Sequence, residues 1–201
     1  MNKGLVIVIS APSGGGKGTI LGELFKTEKN LTLSVSATTR SPRPGEEDGV
    51  QYYFVTKEKF KEMLSRGEIL EHAEFCDNFY GTPKAPVEKL TEEGKDVVLE
   101  IEVKGGAQIK ELIPDCVSIF ITPVSLEVLE HRLRRRGTET EDAITKRLNT
   151  AKGELKMAKN YDYVVVNDKL EDAVEDVKAI IRAEKLRYLR SKGKFDPSLG
   201  I

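Results

Sequence analysis

Three glycines followed by a lysine, in ISAPSGGGKGT over residues 9–19, are the residues best suited to hold an anion. The apolar run LVIVI leads straight into Gly14, Gly15 and Gly16, and a helical pattern follows Lys17. Glycines let successive backbone N–H groups turn toward one anion with no Cβ in the way. The N-terminus of the following helix adds a partial positive charge, and Lys17 supplies a point charge for the β- and γ-phosphates of a nucleotide. The plainer reading is a Gly-rich turn. Strand before, helix after and lysine at this offset favour a phosphate cradle built from Ala11, Pro12, Ser13, Gly14, Gly15, Gly16, Lys17, Gly18 and Thr19. The full phosphate-loop pattern is broken twice. Ala11 stands where its first glycine would be, and Gly18 stands where Ser or Thr meets magnesium, with Thr19 one residue further on.

A second group of candidates follows. In SVSATTR, strand alternation puts Ser34, Ser36, Thr38 and Arg40 on one face, with Val35 and Ala37 on the other. The loop SPRPGEEDGVQYYF then brings Arg43 and Tyr52. Two arginines three apart around a proline form a fork suited to a phosphate, although alone the stretch also reads as a solvated polar loop. Glu71, in ILEHAEF, shares a strand face with Ile69, Ala73 and Phe75. A carboxylate on an apolar face is costly unless something donates hydrogen bonds to it. Guanine offers two adjacent donors, its N1–H and exocyclic amine, that match a carboxylate; adenine has no such pair. An internal salt bridge, to Arg40 for example, is the alternative, and the sequence leaves it open.

In LEIEV, Glu100 and Glu102 fall on one face at the C-terminal part of an expected core strand. Two acids are a poor structural choice in a strand buried on both sides, and that end of an open α/β sheet is where ligands bind. Arg132 and Arg136 lie one helical turn apart, and Arg147 sits in KRL on the next helix. A basic helix end compensating the dipole is the bland account of HRLRRRG.

The elements that must position these residues are legible in outline. Four Val/Ile-rich runs, Leu5–Ile9, Val97–Val103, Val117–Ile121 and Tyr163–Val166, read as buried parallel strands. Helical patterns follow Lys17 and cover Leu126–Arg136, Asp142–Lys159 and Leu170–Leu189, with a helix-start signature at Thr138 and Glu141. Strands alternating with helices predict an α/β fold with a doubly wound parallel core. LSVSATTR, YYFVT and ILEHAEF, around the helix KEKFKEMLSRG, predict a small mixed insertion. The 201 residues suit one compact unit, and 32 Lys+Arg against 33 Asp+Glu argue against a general nucleic-acid binder. Cys76 and Cys116 read as buried or half-buried free thiols, and His72 and His131 are too isolated for a metal site. No segment is long enough to span a bilayer, and the N-terminal run is too short for a signal peptide, so a cytoplasmic protein is expected. Nothing in the sequence sets an oligomeric state, and the tail from Ser191 to Ile201 carries no clear pattern.

TTRSPRPGEEDGVQYYFV closely resembles the signature of the guanylate kinase family, and the similarity runs on through ILEHAEF, NFYGT, LEIEVKGG, RRRGTET, KRL and VVVND. The GKGT ending also resembles the loop of adenylate kinases and other nucleoside monophosphate kinases. The resemblance implies a P-loop enzyme of purine nucleotide metabolism that moves the γ-phosphoryl group of ATP to GMP, with Mg2+ held mainly by phosphates and water. It implies a P-loop core of residues 1–32, 85–125 and 151–201, a GMP-binding insertion of 33–84 and a helical lid of 126–150. By the same resemblance Arg40, Arg43, Tyr52 and Tyr80 hold the GMP phosphate, and Glu71, Ser36 and Thr82 read the base. Glu100 and Glu102 lie near acceptor and magnesium, where relatives often carry Asp-x-Asp. Arg132, Arg136 and Arg147 close on the ATP phosphates, and Asn167 lies near adenine. Two rivals stand beside this reading, the first of a different class. A scaffold module that binds phosphopeptides generally lacks an intact phosphate loop, which this chain keeps, and a kinase for AMP or dTMP has no use for Glu71.

Overall fold

The computed structural model describes residues 3–135 and 140–191. In chain order, strand β1 (Val6–Ser10), helix α1 (Lys17–Thr27) and β2 (Leu31–Leu33) come first. Then follow β3 (Ser36–Thr38), β4 (Tyr52–Phe54), α2 (Lys57–Ser65), β5 (Ile69–Phe75) and β6 (Asn78–Pro83). The chain continues through α3 (Lys84–Glu92), β7 (Asp96–Glu100), α4 (Val103–Leu112), β8 (Val117–Pro123) and α5 (Leu126–Arg135). It ends with α6 (Glu141–Leu155), β9 (Tyr163–Asn167), α7 (Leu170–Leu186) and α8 (Tyr188–Ser191).

Five strands form a parallel sheet in the order β2-β7-β1-β8-β9. In β1, Ile7 and Ile9 point into a core shared with Leu24 of α1 and Val177 of α7. Val8 points the other way, toward Val87 of α3, Leu99 of β7 and Ile109 of α4. Each central strand is thus apolar on both faces, the pattern that a sheet covered by helices on both sides requires. The phosphate loop leaves the C-terminal end of the central strand.

A second, four-stranded sheet has the order β4-β3-β6-β5, with β3 parallel to β4 and antiparallel to β6. It packs on α2, whose Phe60 is fully buried and stacks on Phe79 at 5.5 Å between ring centroids. Thr56 caps α2 by accepting the Lys59 N–H at 3.1 Å. Cys76 and Asp77, at φ 49° and 58°, make the two-residue turn between β5 and β6. That turn leaves Cys76 exposed, against expectation, while Cys116 is buried.

Several expected boundaries move. The strand expected over Val97–Val103 stops at Glu100, and Glu102 is already the N-cap residue of α4. LSVSATTR is two strands rather than one: Leu33 pairs with Val98 of the first sheet, and Ser36 pairs with Tyr52 of the second. Thr38 is accordingly as buried as Ala37 instead of sharing an open face. The helix expected over Asp142–Lys159 is capped by Thr140 and ends at Leu155, before a 3-10 turn at Ala158–Asn160. The one expected over Leu170–Leu189 breaks at Arg187, which adopts an extended ψ of 136°. The start signal at Thr138, Arg136 at the end of its helix, and all of the tail beyond Ser191 lie outside the described residues.

Candidate active site

Loop residues 12–16 curl so that the Gly15 N–H donates to the Pro12 carbonyl at 2.8 Å. Gly16 caps α1 at φ 91°, a left-handed conformation that a Cβ would strain. A Cβ there would also sit 2.2 Å from Nδ2 of Asn167. That amide, buried at the end of β9, donates to the Gly15 carbonyl at 2.9 Å and fixes the loop against the sheet. Arg132 of α5 donates from Nη2 to the Asn167 carbonyl at 2.9 Å, and its buried Nη1 has no partner among the described residues. Helix α1 has no acid in its first turn to neutralise its positive end.

Lys17 is half-buried, with Nζ donating to the Ile101 carbonyl at 3.2 Å and 3.9 Å from a Glu100 oxygen. Burial pulls its pKa down, against the opposing pull of Glu100, Glu102 and Glu154. The loop residues 11–19 line a cleft of about 440 Å³ together with Glu102 and Glu154. Glu154, on α6, accepts the Ser13 N–H at 3.3 Å. Gly18 and Thr19 are exposed at its mouth.

The second sheet gathers the other candidates. Arg40, just past β3, lies over the rings of Tyr52 and Phe54 at 5.5 and 5.8 Å. Tyr52 and Tyr80 meet edge to face at 6.0 Å. Ser36 pairs in register with Tyr52, and Tyr80 with Thr38. Only one arm of the expected arginine fork, Arg40, meets a carboxylate of the chain itself. Glu46 accepts from Arg40 Nη2 at 2.9 Å and from the Arg43 backbone N–H at 2.7 Å, while the Arg43 side chain stays exposed. These bonds, the one from Arg40 foremost, hold the Glu46 carboxyl below the usual carboxylate range.

Glu71 is 6 % exposed and accepts the Thr82 hydroxyl at 2.7 Å. The salt bridge to Arg40 that the sequence left open is not made, since Arg40 pairs with Glu46. Burial pushes the Glu71 pKa up, and the Thr82 hydrogen bond only partly offsets it. Its expected company is altered by a register shift in β5 between Ile69 and His72. Ile69 joins the core of the second sheet and Leu70 that of the first. Phe75, expected inward, is 65 % exposed. Glu71 therefore lies at the seam of two cores, against Gly105 of α4, where a Cβ would approach its Oε2 to 2.5 Å. Gln108 fixes α4 to the same strand by exchanging hydrogen bonds with the backbone of His72 at 3.1 and 3.2 Å.

Glu100 and Glu102 join the two halves. Both are exposed, but they sit at a strand end and a helix cap rather than along one strand face, because the backbone turns between them. Glu102 interacts electrostatically with Lys17 on one side and Glu71 on the other, and Glu100 with both Lys17 and Tyr52. Arg147 is half-buried on α6. Sequence reasoning missed Glu46, Gln108 and Glu154. Of these, only Glu46, an acid in the turn beside the arginines, left a local signal.

The guanylate kinase family profile matches residues 3–184. The chain is 52% identical to a guanylate kinase of Clostridioides difficile (strain 630) over 192 residues, covering 96% of this chain and 94% of that protein. It is 52% identical over 188 residues to one of Lactococcus lactis subsp. lactis (strain IL1403), covering 94% and 92%. Among solved structures, guanylate kinase from Anaplasma phagocytophilum superposes with a TM-score of 0.74 at 37% identity, covering 94% of this chain and 90% of that one. Matches over nearly the whole length, on a fold that sets a glycine-lined cradle beside an arginine–tyrosine cluster and a buried carboxylate, make this chain a member of the guanylate kinase family.

Proposed function

We propose that the protein transfers the γ-phosphoryl group of ATP to GMP, giving ADP and GDP. The observation that carries the choice of acceptor is Glu71. It is a buried carboxylate held by one hydroxyl, with acceptor capacity to spare. Guanine N1–H and its exocyclic amine complete that capacity, whereas adenine would leave the carboxylate unpaired, a difference worth orders of magnitude in selectivity. Thr82 orients Glu71, and Ser36 lies on β3, which pairs with β6, the strand that carries Thr82. Arg40, Arg43, Tyr52 and Tyr80 hold the GMP phosphate, with Glu46 aligning Arg40.

Phosphoryl transfer is catalysed mainly by positioning and by neutralising charge on the migrating group. GMP brings its own nucleophilic oxygen, so no side chain attacks. Free amides of the glycine-rich loop and Lys17 cradle the donor phosphates, with Arg132, Arg136 and Arg147 supplying positive charge to the transferring group. The buried Nη1 of Arg132, unpartnered among the described residues, supports that role. Asn167 keeps the loop shaped and Arg132 aimed. Among the described residues no three His, Cys, Asp or Glu side chains cluster as a closed metal site. Glu100 and Glu102 beside Lys17 instead suit an Mg2+ that keeps its waters and takes phosphate oxygens as ligands. Bound with ATP, Mg2+ neutralises charge on the phosphates. Closure of residues 33–84 and of the segment 126–150 over both substrates would exclude water and protect ATP from hydrolysis. No helix among the described residues is long and apolar enough to cross a membrane, and these substrates place the work in the cytoplasm.

The test is ADP release from ATP and magnesium with GMP, AMP, dTMP or no acceptor. Turnover with GMP alone is expected. Turnover with another monophosphate would overturn the role given to Glu71, and no turnover with any would favour a phosphopeptide-binding module.

A further inference from the structure

One acid outside the expected substrate residues reaches the phosphate cradle from far along the chain. Glu154, at the end of α6, places Oε2 3.3 Å from the Ser13 N–H, 141 residues away in sequence. That N–H belongs to the loop whose amides turn toward an anion, and the same carboxylate interacts with Lys17. Inside the cleft lined by residues 11–19, Glu154 and Glu102 are the acids. A carboxylate oxygen on a loop amide beside the loop lysine takes the kind of place that a phosphate oxygen takes. The position is not comfortable. Burial pushes the Glu154 pKa up and Glu102 adds to the push, while the Ser13 N–H and Lys17 only partly oppose them. The hydrogen bond is also long for an N–H to a carboxylate.

We propose that Glu154 is an internal occupant of the donor phosphate cradle, a positioning residue that ties α6 to the empty loop and is displaced when a polyphosphate binds. The proposal rests on the reading above that the cradle takes the phosphates of ATP. Displacement has two effects. First, a site filled part of the time by its own carboxylate binds anions more weakly, in proportion to the fraction of time it is open. Second, Arg147 and Glu154 are seven residues apart on α6, about two turns, and therefore share a face of the helix. Expelling the acid frees the helix face that also carries a cation for the same phosphates. The donor thus exchanges a repulsive contact with α6 for an attractive one, and α6 responds to the donor but not to GMP.

The experiment is calorimetric titration of the full chain, without acceptor, with ATP, with inorganic tripolyphosphate and separately with GMP. Glu154→Ala should bind ATP and tripolyphosphate more tightly by about 3- to 10-fold, with similar gains for both ligands because only the phosphates compete. GMP affinity should change by less than about 2-fold, since GMP does not enter the cradle. Glu154→Gln keeps the shape and one acceptor but loses the charge. It serves if the alanine variant does not fold, and its gain should be in the same direction. Weaker or unchanged affinity for ATP and tripolyphosphate in the folded variant would overturn the proposal and make Glu154 a support of the loop. Absence of tripolyphosphate and ATP binding in the unaltered protein would instead overturn the donor-site reading on which the proposal rests.

Discussion

At the scale of the residue, Glu71 shows how a binding group is maintained against stability. Its carboxyl has a raised pKa because burial disfavours the charge. A folded-state pKa above the unfolded value means that the folded protein holds the proton more tightly, so ionised Glu71 opposes folding at neutral pH. That penalty is relieved as the pH falls through the raised pKa toward the ordinary carboxyl value of 4.5. Glu71→Gln should therefore leave the ligand-free protein at least as stable at pH 7, and the unaltered protein should gain on the variant as the pH is lowered. The same change should reduce kcat/KM for GMP by about 100-fold or more, because the amide offers guanine a donor where an acceptor is needed. ATP affinity should hold. Thermal unfolding across pH and initial-rate kinetics check the two halves, and unchanged GMP turnover would remove Glu71 as the base reader.

At the scale of the element, the phosphate loop and the central strands were legible because their signals are local. Three consecutive glycines and a lysine declare the loop, and strands apolar on both faces, such as Ile7–Ile9, read as continuous runs. Helix α4 was missed because Val103 and Ile101 extend the apolar run of β7, while Gly105 and Gly106 disguise the helical turn. β2 has three residues, too few for periodicity to register. The contacts of Glu154 and Gln108 join distant parts of the chain and leave no local pattern. Gly18 is a different case: the sequence flagged it, and the structure finds nothing within 4 Å of where its Cβ would be. It lies in the first turn of α1 with no positive φ to protect. Gly18→Ser should thus be accommodated and stabilise α1 by up to about 0.5 kcal/mol from helix propensity. Urea unfolding measures this, and a destabilised variant would mean that the glycine is structurally required.

At the scale of the whole molecule, the two sheets touch through few elements. The Ser34 N–H donates to the Val98 carbonyl at 2.9 Å where the chain leaves the first sheet, and α4 lies against β5 through Gly105 and Gln108. Closure over both substrates would pivot at such connections, and the expected outcome is a smaller radius of gyration in small-angle scattering with a bisubstrate analogue. An unchanged radius would sink the closure reading. Glu46 on Arg40, Glu100 near Lys17 and Glu154 on the Ser13 amide have a joint consequence for how the protein meets its substrates. In the ligand-free protein the cations and the loop amide are already attended by the chain's own acids. Nucleotides therefore meet cations already partly neutralised by tethered acids, so their capture should depend only shallowly on ionic strength, unlike the steep dependence of nucleic-acid binders.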